Sequence, residues 1–172
     1  MNVGKKLAFA AIAVTAVALS TTAQADRVKW KMHSAWGSSV PHLGTNAWRF
    51  ADNIGRMSGG DFTVKAFEPG ALIPANEGFD ATSKGSIEMA WTTAGYDTGK
   101  YPALSFFTAV PFGPSIGEYM AWMKFGGGDA LEAEIYGKHG IKEIDCLAIG
   151  PETSGWFKEE ITDLEQPRGL KM

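Results

Sequence analysis

The sequence predicts an α/β fold built on a parallel sheet, and three observations predict it. Between residues 27 and 91 the hydropathy pattern runs strand, helix, strand, helix, strand, the order of layered βαβ units. Gly59-Gly60, Pro69-Gly70 and Gly85 punctuate those segments where turns are needed. A composition of 45% apolar and 20% charged residues over 172 positions is that of an ordinary globular chain, neither disordered nor collagen-like. At that length roughly two thirds of the unfolded surface can be buried.

Residues 27–34 alternate, with Val28, Trp30 and Met32 on one face and Lys29, Lys31 and His33 on the other, which describes a half-buried strand. Pro41 opens a segment in which Leu43, Ala47, Phe50, Ala51, Ile54 and Met57 recur at three- and four-residue steps. It reads as an amphipathic helix stopped by Gly59-Gly60. Residues 62–67 form a second strand, 76–83 a short helix ending at Gly85, and 87–91 a third strand. Residues 102–114 are apolar but carry Pro102, Pro111 and Pro114, so extended segments and turns are expected rather than a central strand. Ser115 begins a helix through Ile116, Tyr119, Met120 and Met123, and Asp129 begins another through Leu131, Ile135 and Tyr136. Residues 141–149 read as a buried strand, and 164–169 as a short helical turn feeding Leu170-Lys171-Met172.

Lys5 and Lys6 precede an apolar run over residues 7–19 and then Ala23-Gln24-Ala25, the pattern of a signal peptide cleaved after Ala25. The run is shorter than the roughly 20 apolar residues of a spanning helix. Removing those two lysines takes the formal charge from −3 to −5, so a basic face for nucleic acid is not expected. Cys146 is the only cysteine, and no internal disulfide can form.

Gly113-Pro114-Ser115-Ile116-Gly117 matches the G-x-S-x-G of a nucleophile elbow, with Asp129 and His139 following in hydrolase order. The competing reading is structural. Ser115 and Glu118 form S-x-x-E directly before an apolar helical run, a capping box, and Pro111 and Pro114 spoil the strand that an elbow requires. Capping is preferred, and a periplasmic serine hydrolase using Ser115 stands as the alternative, beside a self-contained interaction module. Gly126-Gly127-Gly128 lacks the Lys and hydroxyl of a phosphate loop and reads as a helix stop, with Asp129 as the next N-cap and Glu132 three residues on. His33, His42 and His139 share no ligand spacing with Cys146, so no structural zinc is expected.

Aromatic residues interleave with glycine in the predicted loops: Trp36-Gly37, residues 91–96, Tyr101, Phe112-Gly113 and Gly155-Trp156-Phe157. Open α/β sheets bind ligands in loops at the carboxyl ends of their strands. Trp36 follows the first strand, Trp91 and Tyr96 end or follow the third, and Glu152 and Trp156 follow residues 141–149. Phe106, Phe107, Phe112 and Phe157 read as core. For Trp36, Tyr96 and Trp156, pocket and core remain open.

Several runs are distinctive: Arg49-Phe50-Ala51-Asp52 with Met57-Ser58-Gly59-Gly60, Glu88-Met89-Ala90, Gly99-Lys100-Tyr101-Pro102-Ala103, Phe106-Phe107-Thr108-Ala109-Val110-Pro111-Phe112-Gly113, Phe125-Gly126-Gly127-Gly128 and Gly155-Trp156-Phe157-Lys158-Glu159-Glu160-Ile161. They spread over nearly all of residues 27–172. In these runs the chain resembles the substrate-binding subunit of tripartite ATP-independent periplasmic (TRAP) transporters, in the branch that takes small organic acids such as α-keto acids and lactate.

The resemblance implies a periplasmic binding protein-like fold, two lobes with mainly parallel sheets around a cleft. Residues 26–142 would supply most of lobe one and 143–172 the start of a truncated lobe two, after a signal peptide over 1–25. It implies a non-enzymatic protein that captures a small carboxylate and delivers it to the transporter's membrane subunits, with a homodimer allowed for the intact form. Tyr96 matches a pocket tyrosine, and Trp36, Trp91 and Trp156 would line the cleft. The family's carboxylate-binding arginine follows Gly-Leu-Lys-Met, which here is Gly169-Leu170-Lys171-Met172, the last residues of the sequence, so the resemblance implies a chain cut off before that arginine, which need not bind alone. Glu152 stands where the family places a glutamine beside the ligand carboxylate. An ionised Glu there repels a carboxylate unless a cation such as sodium or calcium sits between them, so Glu152 is the candidate cation neighbour. No other cofactor is implied.

Overall fold

The computed structural model describes residues 26–150, 155–163, 165, 166, 168 and 169. The expected signal peptide, Glu152 and the run at residues 170–172 lie outside them. The chain divides into two compact units between Thr92 and Thr93.

The first unit is the expected α/β layer. Its elements are β1 (Val28–Ser34), α1 (Thr45–Met57), β2 (Phe62–Phe67), α2 (Gly78–Ser83) and β3 (Met89–Trp91). The sheet order is β2-β1-β3, all parallel, with Val28 opposite Phe62 and Met32 opposite Met89. Both crossovers carry a helix, as parallel neighbours require.

The core of this unit is Met32, Ala47, Ala51 and Val64, with Trp48, Phe50, Ile54, Phe62, Ala66, Met89 and Trp91 packed against it. The alanines of α1 let the helix approach the sheet closely, and burying Met32 completely contributes about 2 kcal/mol. The predicted alternation along β1 is overlaid by a gradient from end to end. Residues 28–31 are exposed and Met32, His33 and Ser34 are buried, because β3 pairs only with those last three. On the side of β1 that β3 does not reach, the carboxylate of Glu88 accepts the Lys31 backbone N–H at 2.9 Å. That bond holds the Glu88 carboxyl below its ordinary range.

α1 ends at Ser58, whose Oγ accepts the Phe62 N–H at 3.0 Å and so joins the helix stop to the start of β2. The intervening Gly59 and Gly60 both take positive φ, as the predicted stop requires.

The second unit holds two 3₁₀ segments, Ala94–Asp97 and Pro102–Phe107, then α3 (Ile116–Phe125) and α4 (Gly128–Gly137). Three expectations are corrected here. Residues 102–107 are helical rather than extended, because Pro102 sits in the first turn, where its fixed φ fits and its missing N–H costs nothing. α4 is capped by the left-handed Gly127, and Asp129 lies inside the helix with its carboxylate on Lys124 Nζ at 2.8 Å. A Cβ on Gly128 would stand 2.8 Å from Met123 Cα, so the glycine run is a close corner between α3 and α4. Residues 141–149 form no strand, because no described segment offers them a ladder partner, and Ile144 and Ile149 are exposed.

α3 and α4 pack on each other, and α4 packs on the Pro102–Phe107 segment. Leu104 and Met123 are fully buried between them, with Phe107 stacked on Trp122 at 5.6 Å.

Candidate functional site

The carboxyl ends of the strands in the first unit carry a loop, residues 35–44, that is fastened along its length. Ala35 N–H donates to Trp91 O at 3.0 Å, and the Ser34 hydroxyl donates to Trp36 O at 2.7 Å. Ser38 N–H donates to the Glu68 carboxylate at 3.0 Å, tying this loop to the end of β2. The Trp91 indole N–H donates to Leu43 O at 2.8 Å, tying it to β3. A Cβ on Gly44 would stand 1.8 Å from Gly37 O, so the two ends of the loop cross with no room for a side chain. Below it His33 is fully buried, its Nε2 at 3.2 Å from Ala75 O, which fastens the loop after β2.

Trp36 and Trp91 therefore lie together at one sheet edge, both half-buried, on a preorganised support. Trp91 also packs its ring against Phe50 at 5.7 Å. Its only donor is engaged, so toward a ligand it offers an apolar surface. The sequence reading missed Glu68 and Leu43 as supports. Glu68 stands directly before the Pro69-Gly70 turn, a position that signals a loop contact, whereas a backbone carbonyl such as Leu43 leaves no trace in sequence.

Tyr96 and Trp156 belong to the second unit. Tyr96 is in the Ala94–Asp97 segment with 46% of its surface exposed, and Trp156 is 93% exposed. Thr93 begins that segment, its hydroxyl accepting the Gly95 N–H at 3.3 Å and meeting the Thr108 hydroxyl at 3.4 Å.

The Ser115 hydroxyl serves a helix cap. It donates to Glu118 Oε2 at 2.7 Å and accepts the Glu118 N–H, while the same carboxylate accepts Ser115 N–H at 2.9 Å. This is the full reciprocal box, and it lowers the Glu118 carboxyl through the Ser115 hydroxyl first and its N–H second. Asp129 faces Lys124, and His139 lies against the Tyr101 ring at 4.5 Å. The hydrolase-order residues are thus each engaged in local structure.

An open groove of about 390 Å³ lies over α1 and β2, lined by residues that include Asp52, Arg56 and Thr63. It contains none of the candidate residues, and Asp52 and Arg56 pair with each other at 3.8 Å. Among the described residues, no group of three or more His, Cys, Asp or Glu side chains is placed to hold a metal, and no helix is long and apolar enough to cross a membrane.

A family profile described as bacterial extracellular solute-binding protein, family 7, matches residues 33–172. The chain belongs to that family. This family-7 chain is 34% identical over 174 residues to a monocarboxylate 2-oxoacid-binding periplasmic protein of Nostoc, covering 95% of this chain and 47% of the relative. Among solved structures it is similar to a TRAP periplasmic solute-binding protein from Colwellia psychrerythraea with bound calcium and pyruvate, at 32% identity and a TM-score of 0.79. A second, from Pseudoalteromonas atlantica with bound sodium and pyruvate, matches at 31% identity and a TM-score of 0.74. Both alignments cover 84% of this chain and 44% of the other. The family-7 chain therefore spans about half the length of the relatives it matches, and it shares their α/β fold.

Proposed function

We propose that this family-7 chain serves in the periplasm as capture component for a small 2-oxoacid such as pyruvate, held together with a cation, and passes it to the membrane subunits of a TRAP-type transporter. The observation that carries this reading is its likeness to two relatives that hold pyruvate beside calcium or sodium. The ordered sheet edge that carries Trp36 and Trp91 supports it, because a ligand wall built in advance loses little entropy on binding. Tyr96 and Trp156 supply further contacts, and Glu152 faces the carboxylate across the cation. The lobe boundary falls near residue 142, and capture proceeds by closing two lobes on the ligand, with no bond made or broken.

Isothermal titration with pyruvate tests the reading on a version of full family length, run in calcium, in sodium and in chelator. Heat of binding that requires a cation and follows 2-oxoacids over plain carboxylates is expected. No heat in any of the three conditions would sink it.

A further inference from the structure

We propose that the outer edge of β2, with the groove beside it, takes up a short extended peptide in which acidic residues alternate with small apolar ones. The proposal does not rest on the proposed ligand.

β2 stands at the end of the sheet order, so only one of its sides meets a neighbouring strand. The Val28 N–H donates to Asp61 O at 2.7 Å, which turns the backbone groups of residues 61, 63 and 65 toward β1. Those groups alternate in direction along a strand, so the N–H and C=O of Phe62, Val64 and Ala66 point outward. Ser58 Oγ engages both groups of Phe62, accepting the N–H at 3.0 Å and donating to the carbonyl at 2.9 Å. It stands where a neighbouring strand would begin. Among the described residues nothing fills that place for Val64 and Ala66, which leaves four ladder groups without a partner. Such a row recognises another extended backbone.

The groove of about 390 Å³ adjoins this edge, since Thr63 and Val64 line it together with Ala51 and Gly55 of α1. A Cβ on Gly55 would meet nothing within 4 Å, so an incoming side chain has room there. Glycine inside a helix costs stability relative to alanine, and no neighbour in the fold requires it at this position. Asp52 and Arg56, which also line the groove, pair with each other and leave it without net charge. A side chain entering it is therefore apolar and small.

The opposite face of β2 carries the charge. Phe62, Val64 and Ala66 pack toward α1, which puts Thr63 and Lys65 on the other side of the sheet. There the register sets Lys31 directly across from Lys65 and Lys29 across from Thr63, all three lysines being exposed. Like charges directly opposite each other weaken a sheet. The Lys65 ammonium lies over the Phe67 ring at 4.9 Å, and the Glu88 carboxylate is already engaged by the Lys31 backbone N–H. An added strand sets every second side chain on this face beside Lys65, where a carboxylate offsets the repulsion. A second copy that continued the sheet through its own β2 would bring Lys65 of both chains to one face. Four ladder groups also fall short of the roughly 800 Å² per partner of a stable pair of proteins, and suit a peptide.

Amide exchange followed by NMR tests this on a version of full family length, with the end-capped peptide Glu-Val-Glu-Val-Glu. At roughly ten times its dissociation constant, exchange at Val64 and Ala66 should slow about tenfold, while Thr63 and Lys65, whose N–H groups already face β1, keep their rates. Lys-Val-Lys-Val-Lys should slow neither. Gly55→Met, which fills the groove from a helix position with open space around it, should abolish binding, and Lys65→Glu should weaken it about fivefold. No slowing at Val64 and Ala66, or equal slowing in Gly55→Met, would overturn the site. Equal binding of the basic peptide would overturn its acidic character. Slowing that needs no peptide and grows with protein concentration would give the edge to a second copy and overturn the peptide.

Discussion

The indole N–H of Trp91 donates to the carbonyl of Leu43 across 2.8 Å, joining the last residue of β3 to the loop that enters α1. Two elements 48 positions apart are held by one directional bond. Replacing Trp91 by Phe keeps a ring against Phe50 and deletes the donor. The expected loss is about 1–3 kcal/mol in urea unfolding, with faster amide exchange over residues 36–44. Unchanged exchange in that loop would show that the bond does not hold it.

Gly44 and Gly55 should respond in opposite directions to the same change. Alanine at Gly44 meets the Gly37 carbonyl and should cost about 3 kcal/mol or prevent folding, since backbone cannot move aside as a side chain does. Alanine at Gly55, inside α1 with open space around its Cβ position, should stabilise by about 0.5–1 kcal/mol. Equal melting temperatures for the two variants would contradict the crossing of residues 37 and 44.

Ser115→Ala should cost about 1 kcal/mol through loss of the cap, and should return the Glu118 carboxyl toward its ordinary range. A fluorophosphonate probe should not label the parent protein at Ser115. Labelling that disappears in the alanine variant would restore the hydrolase reading.

Stability should fall as pH rises from about 5 to about 7. Glu132 is raised in the folded state, so between its unfolded and folded values the native protein binds more protons than the unfolded chain does. The contribution is complete at low pH and lost on passing the folded value near 7, about 3 kcal/mol in all. Urea midpoints for Glu132→Gln should lack this slope and exceed the parent's at pH 8. A parent protein that gains stability over that interval would refute the assignment.

In a version of full family length, Tyr96→Phe should weaken pyruvate binding about tenfold while leaving the melting temperature unchanged, because Tyr96 is 46% exposed and the ring is kept. Equal affinity would remove Tyr96 from the proposed site.

Much of the first unit was legible because its signals are local. The alternation of Val28, Trp30 and Met32, the helical spacing from Leu43 to Met57 and the glycine stop each lie in one stretch of sequence; β1 and β2 stand where those signals put them, and α1 begins at Thr45, after a turn over residues 41–44. The Ser115 and Glu118 box was legible for the same reason. What escaped depends on tertiary partners. Residues 141–149 have the apolar content of a strand, but a strand exists only beside another. Asp129 has the chemistry of an N-cap, but Gly127 takes the left-handed turn first and leaves the carboxylate to Lys124. At the candidate site the aromatic and glycine pattern singled out Trp36 and Trp91, while the ties from Glu68, Leu43 and His33 come from folding, not from neighbouring residues in the sequence.

The parallel sheet also governs when the chain can fold. β1 meets β2 over a separation of 34 positions, from Val28 to Phe62, and meets β3 over 57, from Met32 to Met89. No hairpin offers a shorter route, so every ladder bond waits on closure of a long loop, and such topologies gather slowly. As the polypeptide grows from its amino end, α1 can wind early, but β1 stays without a neighbour until residue 62 emerges. The sheet is complete only after Trp91, and until then Trp30 and Met32 remain available to whatever holds the nascent chain.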